Sequence, residues 1–202
     1  MTIEQIMCTA PVIPVLVIED AGYAKPLAEA LVSGGLRVLE VTLRTPAALD
    51  VIAEMKQVDG AIVGAGTVTN THEFDAAMKA GSEFIVAPGL TESLTRTVTS
   101  HSVPYLPGVA TAGDIMRGLD LGLTHFKFFP ATAAGGIPAL KALAAPFGQC
   151  RFCPTGGITE QTAPDWLALE PVLCVGGSWV VPKGAPNYVE VAQNARKASA
   201  LA

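Results

Sequence analysis

Short apolar runs alternate with helical stretches along almost the whole of this chain, and that rhythm leaves few folds open. The runs cover residues 12–18, 38–44, 62–67, 84–89, 105–110, 125–130, 151–156 and 173–178. They are rich in Val, Ile, Leu and Phe and nearly continuous in apolar character, the pattern of parallel strands buried on both faces. Between them, 21–33 places Leu27, Ala28, Leu31 and Val32 on one helical face, and 46–58 does much the same with Leu49, Ile52, Ala53 and Met55. Pro46 suits a first helical turn, Asn70, Thr91 and Thr159 are expected N-caps, and Gly34, Gly81 and Gly122 are expected helix stops. Eight strands alternating with helices in 202 residues predict an α/β fold: a single (β/α)8 barrel spanning 1–202, at the lower limit of that fold's size. A short extra helix before Pro11 is expected to close its bottom. A doubly wound open sheet is the competing architecture. It would carry a glycine fingerprint after the first strand, where this chain reads Glu19-Asp20-Ala21-Gly22.

Composition removes several function classes. Half the residues are hydrophobic and 15% are charged, too apolar for a disordered chain. With 13 Lys+Arg against 18 Asp+Glu the net charge is −5, so the basic excess of a nucleic-acid binder is missing. Low charge also points to apolar surface hidden in an oligomer. The apolar stretch 10–18 is too short to span a bilayer and holds Pro11 and Pro14, and the segment before it has no Lys or Arg for a signal peptide. A cytoplasmic protein is the expectation. Cys8, Cys150, Cys153 and Cys174 read as small, reduced core residues.

Polar residues inside apolar strands carry the chemical information. In VLEVTLR, alternation puts Glu40, Thr42 and Arg44 on one face and Val41 and Leu43 on the other. The polar face should point into the barrel and climb to its C-terminal mouth, where active sites of that fold lie. A structural Glu–Arg pair is the plainer alternative. In HFKFFP, Lys127 is flanked by three phenylalanines, whose apolar surroundings should favour the neutral amine that attacks a ketone to form a Schiff base. The alternative is a strand-end lysine reaching to solvent. Two glycine-rich turns, PTGGI at 154–158 and VGGS at 175–178, follow the seventh and eighth strands. Barrels commonly bind phosphate there, on backbone N–H groups and the dipole of a following helix. A tight turn is the simpler reading of either one alone.

Metal chemistry is not expected. His72, His101 and His125 fall at a helix start, a helix end and a strand start. Cys150 and Cys153 have CxxC spacing, but residues three apart on a strand face opposite ways, and no second pair completes a zinc set.

The motifs VLEVTLRT, VGAGT, APGL, FKFFP, RFCPTGGI and VGGSW, in that order between Pro11 and Pro182, closely resemble the 2-keto-3-deoxy-6-phosphogluconate (KDPG) and 4-hydroxy-2-oxoglutarate (KHG) aldolase family. That resemblance implies a class I aldolase of the Entner–Doudoroff pathway, without metal or cofactor, usually a homotrimer. Its substrate is a keto-acid phosphate, cleaved to pyruvate and glyceraldehyde 3-phosphate. It also implies roles. Lys127 matches the Schiff-base lysine and Glu40 the general acid/base; Arg44 and Thr67 match residues around the pyruvate carboxylate. Pro88 and Phe129 match pocket walls, and Gly156, Gly157, Gly177 and Ser178 match the phosphate cradle. Thr155 matches the polar residue before Gly-Gly; a sister family acting on the galactonate epimer looks to carry valine there, so Thr155 favours the gluconate substrate. A phosphosugar epimerase and a non-catalytic sugar-phosphate-binding barrel are the competing functions. The epimerase would not need the lysine, and the binding barrel would need neither Lys127 nor Glu40.

Overall fold

The computed structural model describes residues 1–201. Helix α1 (Ile3–Met7) is followed by β1 (Val12–Leu16), a 3-10 turn (Ala21–Tyr23) and α2 (Ala24–Ser33). Then come β2 (Val38–Thr42), α3 (Ala48–Met55), β3 (Ile62–Gly66), α4 (Thr71–Ala80), β4 (Phe84–Val86) and α5 (Glu92–Ser100). The second half holds β5 (Tyr105–Leu106), β6 (Gly108–Val109), α6 (Ala112–Asp120), β7 (His125–Phe128) and α7 (Gly136–Ala144). It ends with β8 (Arg151–Pro154), α8 (Ala163–Leu167), β9 (Val175–Gly177) and α9 (Tyr188–Ser199).

Every expected apolar run forms a strand, and all pairings are parallel. The expected closed eight-stranded barrel is not what they build. The strands form a six-stranded sheet, β5-β4-β3-β2-β1-β9, and a separate three-stranded sheet, β6-β7-β8. The run 105–110 is split at Pro107, which has no N–H to give. Tyr105 and Leu106 pair with β4, whereas Gly108 and Val109 pair with β7. At the other seam only two isolated bridges, Phe152 with Val172 and Thr155 with Gly176, connect β8 to the β9 segment. Pro154 lies between them and likewise cannot donate. The order is not doubly wound either, since β1 to β5 follow one another without reversal.

Caps explain most helix starts. Asn70 accepts from the Glu73 N–H and Thr91 from the Leu94 N–H, as expected, and Thr111 adds a capping box with Asp114. Thr159 does not cap α8; it exchanges hydrogen bonds with Thr162, which directly precedes the helix. Pro46 lies in a turn ahead of α3 rather than in its first turn. Gly81 closes α4 in the left-handed region at φ 100°, and Gly122 follows α6 at φ 79°. At the end of α2 the left-handed residue is Gly35 rather than Gly34.

Two apolar cores result from strand alternation. Leu39, Val41, Val63, Ala65, Ile85, Phe126, Phe128 and Phe152 pack against the helices. Val38, Ile62, Phe84, Val86 and Leu106 of the larger sheet pack with Cys153 of the smaller one, so this second core lies between the sheets. Helix α1 closes its N-terminal end with Ile6 and Met7, in keeping with the expected extra helix. Fully burying a Val, Leu, Ile, Phe or Met side chain in either core stabilises the fold by about 1.5–3 kcal/mol.

Candidate active site

The polar residues buried between the sheets are few, and two of them meet. Val38 belongs to the inter-sheet core while Leu39 and Val41 belong to the helix-side core, so alternation turns Glu40 inward. On β7, Phe126 and Phe128 pack toward the helices, which turns Lys127 inward. Lys127 Nζ donates to Glu40 Oε1 at 2.9 Å, with the residues only 5% and 2% exposed. An isolated buried charge is costly, and this pairing offsets the cost. Glu40 is therefore paired with Lys127 and not with Arg44, and Lys127 does not reach to solvent.

The phenylalanine surroundings expected for Lys127 need correction. Its two sequence neighbours point to the other face of the sheet, and of the three rings only Phe129 faces the amine, with Nζ 5.5 Å from the ring centroid. The register partners of Lys127 are Gly108 on β6 and Cys153 on β8.

The remaining sequence-predicted residues stand at or just beyond the C-terminal ends of parallel strands. Thr67 follows β3 and holds φ 60°, a left-handed value uncommon for a β-branched residue and typical of functional strain. Pro88 follows β4; its carbonyl lies against Gly108, where a Cβ would collide with it. Arg44 is exposed in the turn after β2, beyond the strand whose inward face it was expected to share. It makes no salt bridge among the described residues. Thr155 is buried, with its Oγ1 3.4 Å from the Cys153 carbonyl and packed against Gly176.

The two glycine turns differ in construction. Gly156 and Gly157 hold φ 106° and 77°, and the Gly156 carbonyl accepts from the Thr132 N–H at 3.0 Å. A side chain on Gly157 would meet Thr132 Oγ1 at 2.6 Å, and one on Gly177 would meet the Trp179 ring at 2.5 Å. Ser178 is exposed. No helix begins at either turn: α8 starts only at Ala163 and α9 at Tyr188, so the expected helix-dipole contribution is missing. Thr132 is a site neighbour that the strand pattern does not mark; its one sequence signal is a hydroxyl in the turn after β7, two residues beyond Pro130. Thr42, expected on the polar face with Glu40, is buried, with its Oγ1 donating to the Leu16 carbonyl at 2.8 Å and tying the β2 end to β1.

The histidines lie where expected, in the first turn of α4, at the C-cap of α5 and at the start of β7. Burial pushes the His125 imidazole below its ordinary pKa. Cys150 is in the helix-side core and Cys153 in the inter-sheet core, as strand alternation requires. Cys153 and full burial push the neighbouring Cys174 thiol well above its usual range. Cys8 departs from the core reading, since it is exposed. A surface groove of about 550 Å³ lies between α2 and α9 and contains none of these residues.

The parallel α/β scaffold buries an amine on a carboxylate, an arrangement suited to an enzyme of the lysine-nucleophile class. The family model "KDPG and KHG aldolase" matches residues 3–194. A 2-dehydro-3-deoxy-phosphogluconate aldolase of Zymomonas mobilis is 59% identical over 199 residues, covering 98% of this chain and 96% of the relative. The crystal structure of the Z. mobilis ZM4 aldolase with 3-phosphoglycerate superposes with a TM-score of 0.98 at 58% identity, over 99% of this chain and 96% of that one. The KDPG aldolase of Legionella pneumophila, with pyruvate captured as a covalent carbinolamine, gives a TM-score of 0.96 at 43% identity and 99% coverage of both chains. The chain belongs to the KDPG and KHG aldolase family.

Proposed function

We propose that this lyase is a class I aldolase in which Lys127 forms the Schiff base and Glu40 moves the protons. It cleaves 2-dehydro-3-deoxy-6-phosphogluconate to pyruvate and glyceraldehyde 3-phosphate, and 4-hydroxy-2-oxoglutarate to pyruvate and glyoxylate. The carrying observation is the 2.9 Å hydrogen bond between Lys127 Nζ and Glu40 Oε1 between the two sheets. Glu40 is placed to take a proton from Nζ, which leaves the amine lone pair free to attack the C2 ketone. Glu40 returns that proton to the carbinolamine hydroxyl, which leaves as water, giving a protonated imine and restoring the carboxylate. Glu40 then takes the C4 hydroxyl proton, the C3–C4 bond breaks, and its electrons flow into the imine to give the enamine of pyruvate. Protonation at C3 and hydrolysis release pyruvate and restore Lys127. The carbinolamine of the Legionella aldolase supports the first of these steps by analogy.

Arg44 and Thr67 are read as the carboxylate site, Pro88 and Phe129 as pocket walls, Thr155 as the polar residue that favours the gluconate substrate, and Gly156, Gly157, Gly177 and Ser178 as the phosphate cradle. A planar guanidinium such as that of Arg44 suits a carboxylate. The 3-phosphoglycerate held by the Z. mobilis aldolase supports a phosphate site in the family. A single domain, a homotrimer and a cytoplasmic location complete the reading. The low charge and the exposed Val17 and Met116 support an oligomer. Among the described residues no helix is long and apolar enough to cross a membrane.

Borohydride reduction in the presence of pyruvate, with the modified peptide mapped, tests the proposal. One pyruvate fixed on Lys127 is the expected result. Fixation on a different lysine, or none at all, would overturn it.

A further inference from the structure

We infer that Gly66 is a positioning residue for the Glu40 carboxylate: the side chain it lacks leaves the space in which Glu40 stands against Lys127. This rests on Glu40 being the acid/base, and the measurements below separate the two. Gly66 ends β3 and pairs in register with Thr42, two residues along the inward face from Glu40. A Cβ at position 66 would lie 2.7 Å from Glu40 Cγ and 2.9 Å from its Cδ, and closer still to Oε1. Oε1 is the oxygen that accepts from Lys127 Nζ.

Backbone freedom does not explain this glycine. It is not among the residues with positive φ, so its conformation is open to any residue. Glycine inside a strand weakens it, and a close approach is the usual compensation. Here the approaching group is the carboxylate. An added methyl must displace either β3 or Glu40. The strand is fastened to β2 along its whole length, and the Gly66 carbonyl accepts from the Leu43 N–H at 2.8 Å. The carboxylate, by contrast, has Lys127 as its single hydrogen-bond partner among the described residues. Glu40 therefore moves first, and Oε1 leaves the amine. The contact has a second consequence during turnover. Once Nζ is tied into the imine it no longer holds Glu40 as an ammonium donor, and packing against Gly66 keeps the carboxylate aimed between the sheets.

The test is a double-mutant cycle between positions 66 and 40. Gly66→Ala is expected to lower kcat for aldol cleavage about tenfold to a hundredfold, the scale of an ångström-sized misplacement, with KM changed by less than about threefold. In a Glu40→Asp background the shorter carboxylate withdraws from the methyl, so the further loss from Gly66→Ala should be smaller. Gly66→Ala should also lower Tm in the parent chain but not in a Glu40→Ala background, where the space is vacant. Wild-type kcat in a folded Gly66→Ala protein, or an equal Tm drop in both backgrounds, would overturn the inference. If Gly66→Ala alone does not fold, the Glu40→Ala/Gly66→Ala protein is expected to fold, and its failure would overturn the inference too. Full turnover by Glu40→Ala would instead remove the acid/base reading, while the Tm comparison still decides whether Gly66 houses the side chain.

Discussion

Lys127 and Glu40 stand 87 residues apart in the chain and on strands of different sheets, yet Nζ and Oε1 are 2.9 Å apart. The pair is thus a tie between the two sheets as well as a reactive centre. Removing one partner leaves a buried charge, which typically costs about 3–5 kcal/mol, whereas replacing both by apolar groups is often neutral or stabilising. Lys127→Met should lower Tm markedly, and Lys127→Met/Glu40→Leu should recover most of the loss while staying inactive. Thermal unfolding checks this; a double variant no more stable than the single one would show that the pair is not what fails.

Glu40→Gln keeps the volume and polarity at position 40 but cannot take a proton. Pyruvate trapping on Lys127 should persist at a reduced rate, and aldol cleavage should fall by about 10²-fold or more. Single-turnover cleavage measured beside borohydride trapping separates the two steps. Near-native cleavage would assign proton transfer to another group.

The phosphate reading is best tested at Ser178, because Gly157 has a left-handed φ of 77° and Thr132 behind it, so any substitution there is strained. Losing one hydrogen bond to a charged phosphate costs about 1.5–3 kcal/mol, which is about tenfold to a hundredfold in affinity. Ser178→Ala should raise KM for the phosphorylated substrate by that order. Cleavage of 4-hydroxy-2-oxoglutarate, which has no phosphate, should be unaffected. A parallel loss with both substrates would place the role of Ser178 in the shape of the strand ends.

Burial pushes the Tyr105 hydroxyl up to about 12 from its ordinary value near 10. Because the folded value is the higher one, this group's contribution to stability is fully present below pH 10 and is lost as pH rises through about 12. The unfolding free energies of wild type and Tyr105→Phe, compared across that window, should diverge, with the wild type falling faster. Parallel curves would mean that Tyr105 ionises alike in both states.

Much of this was legible in the sequence because strand periodicity is local. The alternation around Glu40 and Lys127 fixes which way each side chain points before any partner is known, and Cys150 and Cys153 fall on opposite faces for the same reason. The six specific motifs carried the family. The same alternation turns Phe126 and Phe128 away from the amine, because immediate neighbours on a strand face opposite ways and are not each other's surroundings.

What the chain by itself determined is the eight strand-forming runs, their inward polar residues and the kind of chemistry a strand-borne lysine and carboxylate can perform. The tertiary structure decided how the strands close and who meets whom. Hydrogen-bond ladders are non-local, so a proline such as Pro107 shows in the sequence only as a residue without an N–H, and the handover from one sheet to the other appears only once both neighbours are in place. Contact between Glu40 and Lys127, and the space that Gly66 leaves for it, likewise depends on the packing distance between strands far apart in sequence, which no local pattern encodes.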